Sequence, residues 1–256
     1  MVTSTYAQGM NPQGRLVNME ASKSDARDSL GRNLTHGLLD RLGSQIVGDH
    51  FAGRPFPTEA ELSQIHGVSR SVTREAVKML TAKGMVSARP RQGTIIQPVS
   101  QWNLFDPDVL RWMLERRFSI ELLIHFGQLR VAIEPAAAAL AATSADAEGL
   151  RQIQAGFARM VAADEGRDDV LEADVDFHVS ILKASRNPFF GQFRDVVSTA
   201  LKTSIRYTNK IVGRSADLAA HKAVLDAIVA RDGALAQERM RAIIEDALAT
   251  IMANEA

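Results

Sequence analysis

Asp174 and His178 stand four residues apart in the segment ADVDFHVSILKAS. A helix puts such a pair on the same side, one turn apart. His221 follows later, among Leu218, Val224 and Leu225. A carboxylate and two imidazoles suit a divalent ion such as Zn²⁺, Mn²⁺ or Ni²⁺. The same spacing also suits an ordinary surface or capping pair, so residue type and spacing alone leave both readings open. A second constellation is cationic. Arg70 and Arg74 are also four apart, and the planar fork of arginine grips guanine O6 and N7, or a phosphate, with two bonds. Ser69 and Ser71 can donate to phosphates, and Thr73 to a phosphate or against a thymine methyl. Arg89 and Arg91 add two further cations. The alternative for the arginines is a solvated face shared with Glu59 and Glu75.

These residues need elements to hold them. Around the arginines, Phe56 to Gly93 reads FPTEAELSQIHGVSRSVTREAVKMLTAKGMVSARPRQG. Pro57 and Thr58 open a first helix, with Glu61 three residues on to complete a capping box. Leu62 and Ile65 form its inner side, and Gly67 ends it. Ser69 caps a second helix with Val72, Ala76, Val77 and Leu80 inside, and Gly84 stops it. Arg70, Ser71, Thr73, Arg74 and Lys78 are left outside. Met85–Ala88 and Thr94–Gln97 read as two strands around Arg89-Pro-Arg-Gln-Gly93. With a helix over about Asn33–Val47 before it, this is a winged helix-turn-helix, the arrangement that puts side chains into a major groove.

The bulk numbers exclude several classes. The 256 residues include no cysteine, so neither a disulfide framework nor a zinc finger is possible. No apolar run approaches the ~18 residues of a membrane span. There is no signal-peptide core, so a cytoplasmic protein is expected. Thirty basic and thirty acidic side chains give a net charge of zero. The average hides an asymmetry: residues 33–98 carry eight Arg and Lys against five Asp and Glu, whereas the remainder of the chain is acidic. A basic module joined to an acidic one fits a DNA reader attached to something that stays off DNA.

Residues 1–32 are polar and aperiodic and read as a flexible arm. Residues 33–99 form the DNA-binding domain, and 100–117 a linker and connecting helix containing DPDVLRWMLERR. Residues 118–256 read as an all-helical antiparallel bundle. Its helices are broken at Gly166, Asn187-Pro188, Gly213 and Asp232-Gly233; they cover about 119–142, a stretch capped by Ser144, then 167–185, 188–212, 217–231 and 233–253. Such bundles hold ligands between facing helices. His36, His50, His66 and His125 show no partner pattern, and the alanine run Ala136–Ala142 reads as a close-packing surface.

PTEAEL, GVSRSVTREAVKMLTAKGMV and RPRQGT resemble, in that order, the winged-helix signature of the GntR family of bacterial transcription factors. WNLFDPDVLRWMLE, the pair Arg130 and Glu134, DVDFHVSILKASRNPFF and AAHKAVLDAI resemble the second domain of its FadR subfamily, the FCD-type ligand sensor. The resemblance runs from about residue 33 to the end. It implies DNA contacts from Ser69, Arg70, Ser71 and Arg74, and a close minor-groove approach at Gly93, where Arg89 and Arg91 would add contacts. Ala60 departs from the pattern, since many members carry a DNA-contacting arginine there. The resemblance also implies a metal held by Asp174, His178 and His221, with Ile243 where a fourth ligand stands in metal-binding members. Three protein ligands leave open positions for water or a hydroxy acid; a metal-free pocket in which the same residues hydrogen-bond a sugar acid is the alternative.

Arg130 resembles the arginine that faces the effector in relatives, where it would grip a carboxylate. It also suits an i to i+4 surface pair with Glu134. Asn187, Lys202 and Arg206 are further effector candidates, although Asn187 before Pro188 equally suits a helix cap. The expected function is a homodimeric regulator, a repressor of sugar-acid catabolism. It would read a palindromic operator in double-stranded DNA and respond to a small carboxylate effector. The alternative is a regulator of another organic-acid or amino-acid pathway. An enzyme built on the Asp/His cluster could hydrolyse or isomerise, but no general base, nucleophile motif or phosphate loop accompanies it. An architectural DNA binder would need no polar pocket.

Overall fold

Two short polar signals set the register of the first half of the chain. Thr58 and Glu61 reciprocate, with the Thr58 N–H donating to Glu61 Oε2 at 2.7 Å and the Glu61 N–H to Thr58 Oγ1 at 3.3 Å. Ser69 Oγ accepts from Val72 N–H at 3.3 Å. Each bond satisfies a donor that a helix start would otherwise leave unpaired. In the computed structural model, residues 19–116, 119–212 and 217–253 are described; side chains are described over the same stretches apart from residues 19–30, 32, 200 and 205–212. The chain divides into two compact units, residues 1–102 and 103–256.

The first unit comprises α1 (Met19–Val47), α2 (Glu59–His66), α3 (Arg70–Ala82) and a hairpin of β1 (Val86–Arg89) and β2 (Gly93–Ile96). α1 begins at Met19, so part of the expected arm belongs to a helix. Leu38, Leu39, Leu42 and Ile46 of α1 are buried, together with Leu62, Ala76, Leu80, Met85 and Val86, and α1 packs along α3. Two expected inner positions are corrected. Ile65 is 66% exposed, and Val72 is only half-buried because Thr73 takes the inner place at full burial. α2 has two turns, and one buried residue, Leu62, is enough to seat it. Gly67 closes α2 at φ 64°. The hairpin is antiparallel, pairing Val86 with Ile96 and Arg89 with Gly93, one residue off the expected strand limits. Trp102 is buried and donates from Nε1 to Gln97 O at 2.8 Å. The unit therefore extends past the expected boundary at residue 99.

The second unit is a bundle of α4 (Pro107–Arg116), α5 (Ile120–Ser144), α6 (Ala147–Asp164), α7 (Val170–Ala184), α8 (Pro188–Gln192), α9 (Arg194–Val212), α10 (Leu218–Val229) and α11 (Gly233–Ala253). The stretch expected as one helix over 188–212 is broken at Phe193, which caps α8. α4 packs on α9, so it belongs to this unit and not to a separate linker. α5 lies along α11; the alanine run permits this, and a Cβ at Gly233 would sit 3.1 Å from Ala139 O.

α7 is buried nearly all round. Phe177 and Ile181 face one apolar core, with Ala138, Ile153, Met160, Val224 and Ile244. Val175 and Leu182 face a second, with Leu110, Leu123, Phe126, Val197 and Leu201. Polar side chains carried by such a helix are removed from water and must find partners inside the protein. Among the described residues no helix is long and apolar enough to cross a membrane.

Candidate DNA interface and buried metal cluster

The N-terminal turns of α3 present Arg70, Ser71, Arg74 and Lys78 to solvent. Arg74 Nε meets Glu59 Oε2 at 3.4 Å, with both groups well exposed, and Lys78 meets Glu75 at 3.5 Å. Exposed pairs of this kind contribute about 0–1 kcal/mol, so Arg74 can leave Glu59 for a phosphate at little cost. Ser69 accepts the cap bond and keeps its hydroxyl proton to donate. Thr73 is a correction. It is completely buried, and its hydroxyl donates to Ser69 O at 3.2 Å inside the helix, so it cannot reach DNA.

At the wing tip Gln92 N–H donates to Arg89 O at 3.2 Å across Pro90 and Arg91, with Arg91 at φ 64° and Gly93 at φ 77°. A Cβ at Gly93 would meet nothing within 4 Å. The glycine therefore answers to its backbone conformation, with open space where a side chain would stand. Arg89 and Arg91 are exposed there, and so is Ala60 on α2.

Inside the second unit the structure brings Asp174, His178 and His221 together. One ligand atom from each lies within 4.8 Å of the others. Asp174 Oδ1 is 3.3 Å from His178 Nε2 and 3.5 Å from His221 Nε2. The far side of each ring is occupied. His221 Nδ1 lies 2.7 Å from Asp217 O, the carbonyl one turn back on its own helix. A carbonyl only accepts, so Nδ1 carries the proton and Nε2 of neutral His221 is a bare lone pair. His178 Nδ1 lies 2.6 Å from Glu134 Oε2, and Glu134 is tied in turn to Arg130 at 2.5 and 3.4 Å. Burial alone would raise the Glu134 carboxyl, but the charges of Arg130 and His178 outweigh it and bring it down to about 2. An ionised Glu134 accepts from Nδ1–H and leaves Nε2 of neutral His178 aimed at Asp174.

Three acceptor atoms thus converge with no donor between them when both rings are neutral. Asp174 Oδ1 and His221 Nε2 are buried and have no hydrogen-bond partner among the described residues. That arrangement fits a cation. In its place a proton on His178 serves: burial would lower its pKa, but Glu134 and Asp174 together raise it to about 9. Burial would likewise raise the Asp174 carboxyl, yet the imidazoles of His178 and His221 hold it well below the usual carboxylate range. Edge-on contacts of the Phe177 ring with both imidazoles, at 5.9 and 5.4 Å, wall the cluster on the core side.

The other expected ligands fare differently. The Arg130–Glu134 pair forms, but inside the bundle and not on its surface, so the guanidinium is already engaged. Asn187 is a cap, accepting from Phe189 N–H at 2.9 Å. Lys202 pairs with Glu172 at 2.8 Å. Arg206 lies outside the described side chains. Ile243, at the fourth ligand position, is half-buried and packs on the core around Phe177 and Val224. Glu134 was not expected in the cluster. The sequence signal was a lone acid inside the apolar run VAIEPAAAAL, where only a buried partner would stabilise it.

A winged helix-turn-helix followed in the chain by an all-helical domain is the build of a transcription regulator. Residues 34–96 match the gntR family of bacterial regulatory proteins, and residues 126–246 match the FCD domain. The chain is 36% identical to the Escherichia coli K12 HTH-type transcriptional regulator YieP, over 83% of this chain and 93% of that one. It is 34% identical to the galactonate operon transcriptional repressor of the same organism, over 80% and 91%. The solved structure of E. coli McbR/YncC shares the fold, with a TM-score of 0.50 at 17% identity, covering 87% of this chain and 99% of that one. The chain belongs to the gntR family, in its FadR-type branch with an FCD domain, and it is a transcriptional regulator, not an enzyme.

Proposed function

We propose that this regulator is a repressor that binds a palindromic operator as a homodimer. In this reading Ser69, Arg70, Ser71 and Arg74 contact the major groove and its phosphates. Arg89, Arg91 and Gly93 approach the neighbouring minor groove. Asp174, His178 and His221 hold a divalent ion, Zn²⁺, Mn²⁺ or Ni²⁺, and a small carboxylate of the sugar-acid class binds at the same cluster. The ion would supply a positive charge and open coordination positions for a carboxylate or hydroxyl.

The observation that carries the proposal is the convergence of Asp174 Oδ1, His178 Nε2 and His221 Nε2, two of them buried without a hydrogen bond. With both imidazoles neutral, as metal ligation requires, the cluster aims only acceptors at its centre, which suits a cation better than a bare carboxylate. The galactonate repressor among the relatives supports an aldonate as the effector class. Effector binding alters DNA affinity only insofar as it binds the two packings of the bundle differently.

The test is footprinting on DNA upstream of the protein's own gene, with metal-loaded protein and a panel of aldonates and hexuronates. A protected palindrome released by one of them supports the reading. Protection indifferent to every sugar acid, with amino acids or other organic acids active instead, moves the effector to another pathway.

A further inference from the structure

We infer that Arg130 sets the charge of the metal cluster, so that a bound divalent ion is left with one unneutralised positive charge that a monoanionic chelating effector cancels. The inference rests on reading Asp174, His178 and His221 as a metal site. The charges in contact are few. Asp174 and Glu134 contribute one negative charge each, and Arg130 contributes one positive charge through its bonds to Glu134. His178 and His221 are neutral when they ligate a metal. The cluster therefore presents a single net negative charge to a divalent ion, and the loaded cluster is left at plus one.

The surroundings make that residue of charge matter. Arg130, Glu134, Asp174, His178 and His221 are all at most 7% exposed, and Phe177 and the alanine-lined core pack beside them. Uncompensated charge in such a place is costly. A monoanion with an adjacent hydroxyl neutralises the cluster and fills the coordination positions that three protein ligands leave open. A neutral polyol supplies oxygens without charge, and a dianion overshoots to minus one. Metal and monoanion therefore bind with positive coupling, and linkage makes the coupling reciprocal. Arg130 acts here without touching the ligand: paired to Glu134, it cancels a charge that would otherwise let the metal bind tightly by itself.

The test is calorimetry of Mn²⁺ binding to the full chain, alone and with D-gluconate, sorbitol or galactarate. Gluconate is expected to tighten Mn²⁺ by about tenfold or more, with sorbitol inert and galactarate weaker than gluconate. Arg130→Gln takes the ligating cluster, with both imidazoles neutral, to minus two before the ion's own charge is added. It is expected to bind Mn²⁺ alone more tightly and to lose most of the gluconate coupling, while Arg130→Lys keeps the coupling. A merely structural arginine would weaken both affinities when replaced. Equal Mn²⁺ affinity with and without gluconate, or coupling intact in Arg130→Gln, overturns the inference and leaves the metal site standing. No binding of Mn²⁺, Ni²⁺ or Zn²⁺ overturns the metal reading itself. The three-ligand comparison on the unmodified protein decides the matter even where Arg130→Gln does not fold.

Discussion

His178 Nδ1 meets Glu134 Oε2 at 2.6 Å, joining α7 to α5 across 44 residues of sequence. The bond fixes which nitrogen of the ring faces Asp174, and Arg130 holds the carboxylate in place from the other side. Removing Glu134 leaves Arg130 buried with no counter-charge. Breaking one partner of a buried ion pair costs about 3–5 kcal/mol. Glu134→Ala should therefore lower the unfolding free energy by about that amount in urea denaturation, whereas Arg130→Met with Glu134→Leu should cost clearly less than the single change. Equal losses in the two variants would show that packing, not charge, governs the site.

Metal removal follows from the same geometry. A ligand that binds only the folded state at a hundred times its Kd stabilises by about 2.7 kcal/mol. Chelation of metal-loaded protein should lower Tm by several degrees, and re-addition of Zn²⁺ or Mn²⁺ should restore it. Asp174→Ala should have the same Tm with and without chelator. A chelator-sensitive Tm in Asp174→Ala would place the metal elsewhere.

On DNA, Arg74→Ala and Arg70→Ala should each weaken operator binding by about 1–3 kcal/mol if they read a base, and reduce the salt slope by about one if they grip a phosphate. Thr73→Val should leave operator affinity within about twofold of the parent at matched salt, because the hydroxyl is spent on Ser69 O inside α3. Fluorescence anisotropy over a salt series measures all three. A large loss in Thr73→Val with its fold intact would reverse the assignment of that position.

The helix-turn-helix was legible because its signals are local. Thr58 with Glu61, Gly67 and Ser69 are caps that a sequence states outright, and the structure forms each of them. Ile65 and Thr73 were misplaced because helical periodicity predicts a face and not its width; a two-turn helix buries one residue, and tertiary packing chose Thr73 over Val72. The spacing of Asp174 and His178 announced half of the cluster. The other half depends on contacts far apart in the chain. Nothing in the i to i+4 spacing of Arg130 and Glu134 distinguishes a surface pair from a buried one, since that depends on which face of α5 meets α7.

The loop between α6 and α7 is pinned by charge, and the pin is pH-sensitive. Arg159 bonds Asp168 at 2.9 and 3.0 Å and also pairs with Asp176 on α7. The Arg159 bonds and the Asp169 N–H lower the Asp168 carboxyl from 3.8 to about 2. A depressed folded-state pKa contributes stability that is present above the unfolded value and lost as pH falls through the folded one. Arg159→Gln should therefore be less stable than the parent at pH 6, and the gap should close between pH 4 and 2. Thermal melts across that range measure it; a gap that widens on acidification would contradict the assignment.

Gly156 on α6 lies where the backbone of α7 approaches closely. A Cβ there would lie 3.0 Å from Phe177 Cα and 3.2 Å from Phe177 N. Both are backbone atoms, so no side-chain rotation relieves the contact, and α7 itself must shift. Phe177 neighbours His178 in sequence and stacks edge-on against His221. The displacement therefore reaches the cluster directly. Gly156→Ala should cost about 1–3 kcal/mol as an overpacked core substitution. It should also weaken Mn²⁺ binding, although it touches none of the ligands and alanine favours the helix it sits in. Urea unfolding and calorimetry on the same preparation separate the two effects. A variant more stable than the parent would mean that α6 and α7 separate freely and that their spacing does not hold His178 in place.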